Sequence, residues 1–293
     1  MMFNTANILL THHCNLYCKH CYMNANNKNP EDAKEIFNKT IKTINKLKKI
    51  GINKVLLSGG ECTTFPYLKE VINYCQKENI EVTIFTNAIS IPKDIIKLVN
   101  NYCISIEGLK EYHNYIRGNN SFEQTITTLK ELKNKKISIQ MTISNKNIAM
   151  IKDTVSLLRE YNIKELHLMC MLNEGRSKIN NIDNQIDINK LNKIIKEVYE
   201  DTGYNIYIHT NIFNKYDINN YLLTNSILFP LWIDMIDNKI YIVNESNSYP
   251  LNKLNKENIK KLHNNINKRI KRNKEYLKNK EYVIIEEEFI NNI

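Results

Sequence analysis

Glycine is scarce in this chain of 293 residues, with seven, and so are proline, with five, and tryptophan, with one. Such low glycine and proline exclude collagen-like and Pro/Gly-rich disordered chains. No apolar run reaches the ~18 residues of a membrane-spanning helix, so no membrane partner is expected. No basic segment precedes the short apolar patch of the first ten residues, so no secretory signal is expected either. There is no internal repeat and no Pro/Ser-rich linker. The seven cysteines are an odd number, and none follows Cys170. An odd count without an export signal argues against a disulfide framework and for a reducing, cytoplasmic compartment.

What is present is ordinary globular composition, 42% hydrophobic and 25% charged, at a length that suits one large α/β domain with a small appendage. The formal net charge of +10 is local. Residues 251–280 carry eleven Lys/Arg against Glu257 and Glu275, and the last thirteen residues carry four Glu. The basic stretch reads as a solvated helical face or as a docking surface for an acidic partner. Its single aromatic, Tyr276, gives no support for stacking on single-stranded nucleic acid, which is not the expected partner.

The first two thirds alternate between short apolar runs and longer amphipathic ones. Strands are predicted at Asn7–Thr11, Lys54–Ser58, Glu81–Thr86, Cys103–Ile106, Ile137–Ser144 and Glu165–Met171. Helices are predicted at Glu31–Ile50, Phe65–Glu78, Lys93–Asn100, Ser121–Asn134, Asn147–Tyr161 and Ile188–Glu200. Six such strand–helix units predict an α/β fold with a parallel sheet. The near-continuously apolar strands fit a sheet buried on both faces. A seventh strand is predicted at Ile206–His209. The rhythm then changes to a hairpin, Trp232–Ile236 and Lys239–Val243 about Asp237–Asn238. A basic helix near Lys253–Lys278 and a closing strand, Tyr282–Ile285, follow. A domain boundary is placed at 212, giving domains 1–212 and 213–293.

Three cysteines, Cys14, Cys18 and Cys21, fall within eight residues directly after the first strand. Three thiolates on one loop can wrap a metal centre. A structural zinc site needs a fourth ligand, for which His12, His13 and His20 are at hand. A [4Fe–4S] cluster normally takes four cysteines, so three would leave one iron open to a further ligand. The second strand ends in Ser58-Gly59-Gly60-Glu61. Two adjacent glycines at a strand's C-terminal end suggest close approach of backbone to a ligand, on the face that carries function in α/β barrels.

The C-x3-C-x2-C spacing followed by Gly-Gly-Glu resembles the radical SAM superfamily. The resemblance implies a partial (β/α)6 TIM-like barrel with a small C-terminal α+β cap. It implies a [4Fe–4S] cluster on Cys14, Cys18 and Cys21 whose open iron chelates S-adenosylmethionine, which is cleaved reductively to a 5′-deoxyadenosyl radical. It places His20 near the adenine, in the position where relatives carry an aromatic residue, and Gly59, Gly60 and Glu61 on the methionine amino group. Where relatives place a proline after that Glu, this chain has Cys62. Asn87 ends the third strand. Ser105-Ile-Glu107-Gly, a histidine and Arg117-Gly resemble a segment of the peptide-modifying branch, which implies that Ser105 and Arg117 hold the cofactor carboxylate, with Glu107 where relatives have Asp. Arg176, after Glu174-Gly175, resembles the Gly-Arg loop of the same group and would lie near cofactor or substrate.

That branch often ends in a SPASM or twitch domain opened by a β-hairpin, which residues 231–243 resemble. With no cysteine after Cys170, an auxiliary cluster held by thiolates in the cap is excluded. The expected activity is hydrogen abstraction from a ribosomally made precursor peptide, giving epimerisation or a cross-link. Reduction would come from an external donor such as flavodoxin or ferredoxin. Epimerisation needs a hydrogen-atom donor, and Cys170 and Cys62 at predicted strand ends are the candidates. Cys75, within a helix, and Cys103, near the start of its strand, are poorly placed. Because the first strand starts by Asn7, no peptide-recognition domain is expected before the barrel. The alternatives are a radical SAM enzyme acting on a small molecule or RNA, and a non-enzymatic metal-binding module.

Overall fold

In the computed structural model the described residues are 4–27, 32–161, 163, 165–209, 231–242, 248–250, 252 and 257. The apolar runs form β1 (Thr5–Leu9), β2 (Lys54–Ser58), β3 (Glu81–Thr86), β4 (Asn101–Ser105), β5 (Lys136–Ile143), β6 (Glu165–Cys170) and β7 (Asn205–His209). Each pairs in parallel with the next. The connections carry α1 (Ala33–Lys49), α2 (Leu68–Lys77), α3 (Lys93–Leu98), α4 (Lys110–Arg117), α5 (Ser121–Glu131), α6 (Ile151–Leu158), α7 (Gly175–Ile179) and α8 (Ile188–Thr202). This is the expected α/β architecture with strands and helices in sequence. The first helix starts later than predicted, where the Asp32 carboxylate accepts from the Glu35 N–H at 2.8 Å and so caps the first turn.

Strand parity sorts the residues. Ile8, Leu57, Ile84, Ile104, Ile139 and Leu168 join one buried core with Ile44 and Leu47 of α1, Val71 of α2 and Leu129 of α5. The opposite face is mixed: Asn7, Ser58, Thr83, Ser138, Gln140, Thr142 and His167 alternate with that core beside Leu9, Leu56, Phe85, Cys103 and Met169. The helices therefore cover one face and the other lines a concave interior. Among the described residues the sheet is not closed, and β7 ends it on one side.

The other side departs from expectation. β8 (Leu231–Asp234) lies parallel to β1, and β9 (Lys239–Ile242) and β10 (Ser248–Pro250) follow antiparallel, giving the order β10-β9-β8-β1-β2-β3-β4-β5-β6-β7. The hairpin is laid on the barrel sheet, where it covers the otherwise open edge of β1. Its turn is longer than two residues, because Asp234 pairs with Lys239 and the Asp234 carboxylate accepts from the N–H groups of Ile236 and Asp237. The expected boundary at 212, the basic helix and the closing strand fall outside the described residues. No described helix is long and apolar enough to cross a membrane.

Candidate active site

The β1 strand runs directly into a loop, residues 12–26, that carries Cys14, Cys18 and Cys21. All seven cysteines are free, and Cys14 and Cys18 are buried. The loop closes on itself through Cys14 N–H to Asn26 O at 2.7 Å, and the ends of β2, β3, β4 and β8 grip it. Gly60 N–H donates to Thr11 O at 2.7 Å and Glu61 N–H to His13 O at 2.8 Å. A Cβ on Gly59 would stand 2.7 Å from Thr11 O, and one on Gly60 would run into the His13 carbonyl. The glycine pair is thus required by close approach of the cysteine loop's own backbone, where the sequence suggested a ligand.

The three histidines are spent on three different elements. His12 Nε2 lies 3.0 Å from Asp234 Oδ2 on β8, His13 Nδ1 2.9 Å from Thr64 Oγ1 after β2, and His20 Nε2 3.3 Å from Glu107 Oε1 after β4. His20 keeps its other ring nitrogen, Nδ1, buried without a hydrogen-bond partner among the described residues. Arg176, at the start of α7, is buried and donates from Nε to Cys18 O (2.8 Å) and from Nη1 to Ala25 O (2.6 Å), while its guanidinium lies over the Tyr17 ring. It fastens the loop rather than presenting its charge to the concave side.

Glu61 is buried and its carboxylate is committed to the protein. It accepts from Thr63 N–H and Oγ1, from Thr86 Oγ1 at 2.8 Å and from Asn87 N–H at 2.7 Å. Burial raises its pKa, and these donors work against that. The backbone of the Gly-Gly-Glu turn, not this carboxylate, faces the loop. Asn87 adds Nδ2 to Asn15 Oδ1 at 2.8 Å and stands 4.0 Å from Cys14 Sγ.

Glu107 is a second hub. Its Oε1 accepts from Arg117 Nε (2.9 Å) and Nη2 (2.5 Å), and its Oε2 from Thr142 N–H (2.7 Å). Burial alone would push this carboxyl up, but Arg117 and His20 hold it well below the usual carboxylate range. Arg117 therefore arrives with Nε and Nη2 already engaged by a carboxylate, in place of the free fork expected for a cofactor carboxylate. Ser105 is half-buried at the end of β4 on the concave face. The helix α4, unforeseen in the sequence, sets Arg117 in place, and Gly118 ends it at φ 122, a backbone conformation that favours glycine.

Two expected thiols are turned elsewhere. Cys62 is fully buried and donates from Sγ to Phe85 O at 3.1 Å, so it is a packed structural thiol and is not at the mouth. Cys170 shares its strand face with Leu166 and Leu168 and packs against the helix-side core; burial pushes its thiol up to about 12. Cys103 lies in mid-strand on the concave face, 1% exposed.

The donor set suits an iron–sulfur cluster. Burial raises the Cys18 pKa, and the Arg117 and Arg176 cations pull against it toward thiolate; Leu16 N–H points at Cys14 Sγ at 3.4 Å. Among the described residues no three His, Cys, Asp or Glu groups are gathered closely enough to hold a single metal ion.

Residues 8–158 match the model of the radical SAM superfamily. The antilisterial bacteriocin subtilosin biosynthesis protein AlbA of Bacillus subtilis is 29% identical over 184 residues, 59% of this chain and 40% of that protein. Fe-coproporphyrin III synthase of Methanosarcina barkeri is also 29% identical over 184 residues, 59% of this chain and 46% of that protein. The chain spans less than half the length of either. The crystal structure of Streptococcus suis SuiB bound to precursor peptide SuiA aligns over 82% of this chain and 59% of that one, with a TM-score of 0.64 at 17% identity, and shows the shared fold.

Proposed function

The chain belongs to the radical SAM superfamily and is an enzyme of that family, and from that premise we propose that it modifies a ribosomally made peptide. Cys14, Cys18 and Cys21 hold the [4Fe–4S] cluster. Once bound, the cluster and S-adenosylmethionine supply a one-electron reductive cleavage that yields a hydrogen-abstracting radical. The observation that carries the cofactor reading is the fastening of three free thiols on one loop by the ends of β2, β4 and β8 and the start of α7. Around it, Asn87 and the Gly59–Gly60 backbone hold the Cys14 limb. The Glu107–Arg117 pair keeps a buried cation beside Cys18 at no net charge, and His20, whose buried Nδ1 has no hydrogen-bond partner among the described residues, would be the contact for the adenine. An external flavodoxin or ferredoxin provides the electron.

The peptide reading is supported by the similarity to AlbA and by Ser105, Gln140 and Thr142, half-buried on the sheet face opposite the helix-side core. Those side chains can hydrogen-bond peptide amides. Cross-linking is better supported than epimerisation, because neither Cys62 nor Cys170 faces the concave side, and Cys103, which does, is 1% exposed and lies in mid-strand away from the strand ends. Reaction with a candidate precursor peptide in heavy water, read by mass spectrometry, tests this. Loss of a hydrogen pair supports a cross-link. Deuterium gained without that loss reports epimerisation and overturns the preference. A small-molecule substrate is the second reading, favoured by the equal identity to Fe-coproporphyrin III synthase. Turnover of a tetrapyrrole with no change in any peptide would establish it.

A further inference from the structure

We infer that Asp234, on the hairpin beyond the matched residues 8–158, is a positioning residue for the cluster loop and acts through His12. The inference rests on the reading of Cys14, Cys18 and Cys21 as cluster ligands.

The strand β8 pairs with β1 in the register Asn7–Trp232, Ile8–Ile233 and Leu9–Asp234. Asp234 thus stands abreast of the last residue of β1, where the chain enters the loop, and Met235 N–H donates to Leu9 O at 3.1 Å. The Asp234 carboxylate divides its acceptors. Oδ1 closes its own turn by accepting from Ile236 and Asp237 N–H, both at 2.9 Å. Oδ2, fixed by that turn, meets His12 Nε2 at 3.0 Å. Asp234 is 8% exposed and the His12 side chain 37%, so the carboxylate end of this contact is shielded from water and the imidazole end only in part.

The limb 11–13 is consequently gripped from two sides. The Gly60 and Glu61 amides take the carbonyls of Thr11 and His13 on the β2 side. The His12 side chain between them is taken by β8. Removing the hairpin tie would free the His12 side chain and leave Cys14, two residues on, held by the β2 turn and by Asn26 without support from β8. Partners that orient a metal site from outside its ligands commonly set its affinity and potential, and Asp234–His12 has that place here. The C-terminal hairpin is then part of the cofactor site.

The test uses the full chain and the variants His12→Ala, Asp234→Asn, Asp234→Ala and the double His12→Ala/Asp234→Ala. Two quantities are read: hydrogen exchange of the loop amides in metal-free protein, and the rate at which a chelator strips iron from anaerobically reconstituted protein. His12→Ala and Asp234→Ala should each speed stripping about tenfold and speed exchange across residues 12–26. The double variant should be no faster than Asp234→Ala, since once the carboxylate is gone His12 has no tie left to lose. Asp234→Asn keeps the turn acceptor and can donate to His12 in its other tautomer, so it should stay near wild type. Unchanged exchange and stripping in His12→Ala, which leaves the hairpin turn intact, would overturn the inference, as would strictly multiplicative effects in the double variant. If wild-type protein takes up no iron, the cluster reading fails. Exchange in the metal-free loop then still decides whether Asp234 and His12 hold it.

Discussion

On the helix side of the sheet, Ile8, Leu57, Ile84, Ile104, Ile139 and Leu168 interlock with the helices and are all buried to 2% or less. At the strand C-termini, residues 12–26 are held almost wholly by polar contacts: backbone amides from the Gly-Gly turn, three histidines, and Arg176. The first region draws on burial of apolar surface, which is additive and direction-free. The second draws on hydrogen bonds whose geometry is specific and whose loss strands a buried polar group. Stability and site geometry therefore rest on different interactions that overlap at buried polar hubs such as Glu107, and elsewhere substitutions can be chosen to move one without the other.

The most damaging test of that separation is Gly60→Ala. The added carbon has no space against the His12 and His13 carbonyls, so the loop cannot seat. Iron uptake on reconstitution should be lost, while circular dichroism still reports a folded sheet. Glu107→Gln comes next. It leaves Arg117 buried without its counter-charge, which should cost about 4 kcal/mol in chemical denaturation. This carboxyl is held below its ordinary value in the folded protein. Its contribution is therefore full above about pH 4 and is lost as pH falls through the folded value. The Gln variant should show a flatter acid limb than wild type. Ile104→Ala probes the other region: it should cost about 3 kcal/mol with iron uptake unchanged in protein that remains folded. Cys170→Ala sits at the bottom of the scale. It trims one sulfur from the helix side of β6, should cost under about 1 kcal/mol, and should leave the stereochemistry of the product untouched.

The apolar face was legible in the sequence because its signal is local. Runs such as Lys54–Ser58 and Glu81–Thr86 match β2 and β3 residue for residue. The cysteine spacing was legible for the same reason. What was hidden depends on partners far apart in the chain. Nothing near His12 announces Asp234, 222 residues on, and no pattern in Leu231–Asp234 says that it pairs with β1. The helix α4 escaped because it is eight residues long and has no side-chain cap. Gly59-Gly60 was read as room for a ligand, and the structure fills that room with Thr11 and His13 backbone. Cys62 and Cys170 lie close to strand ends, as expected. Parity at Cys170 and the turn after Glu61 then point both thiols away from the concave side.

The central claim is that the loop thiols hold a redox cluster that reductively cleaves S-adenosylmethionine. Wild-type protein and a Cys14→Ala/Cys18→Ala/Cys21→Ala variant, reconstituted anaerobically, reduced and supplied with S-adenosylmethionine, test it directly through iron content and released 5′-deoxyadenosine. About four irons per wild-type chain and 5′-deoxyadenosine from wild type alone are expected. Equal iron and equal 5′-deoxyadenosine from the triple variant would contradict the claim.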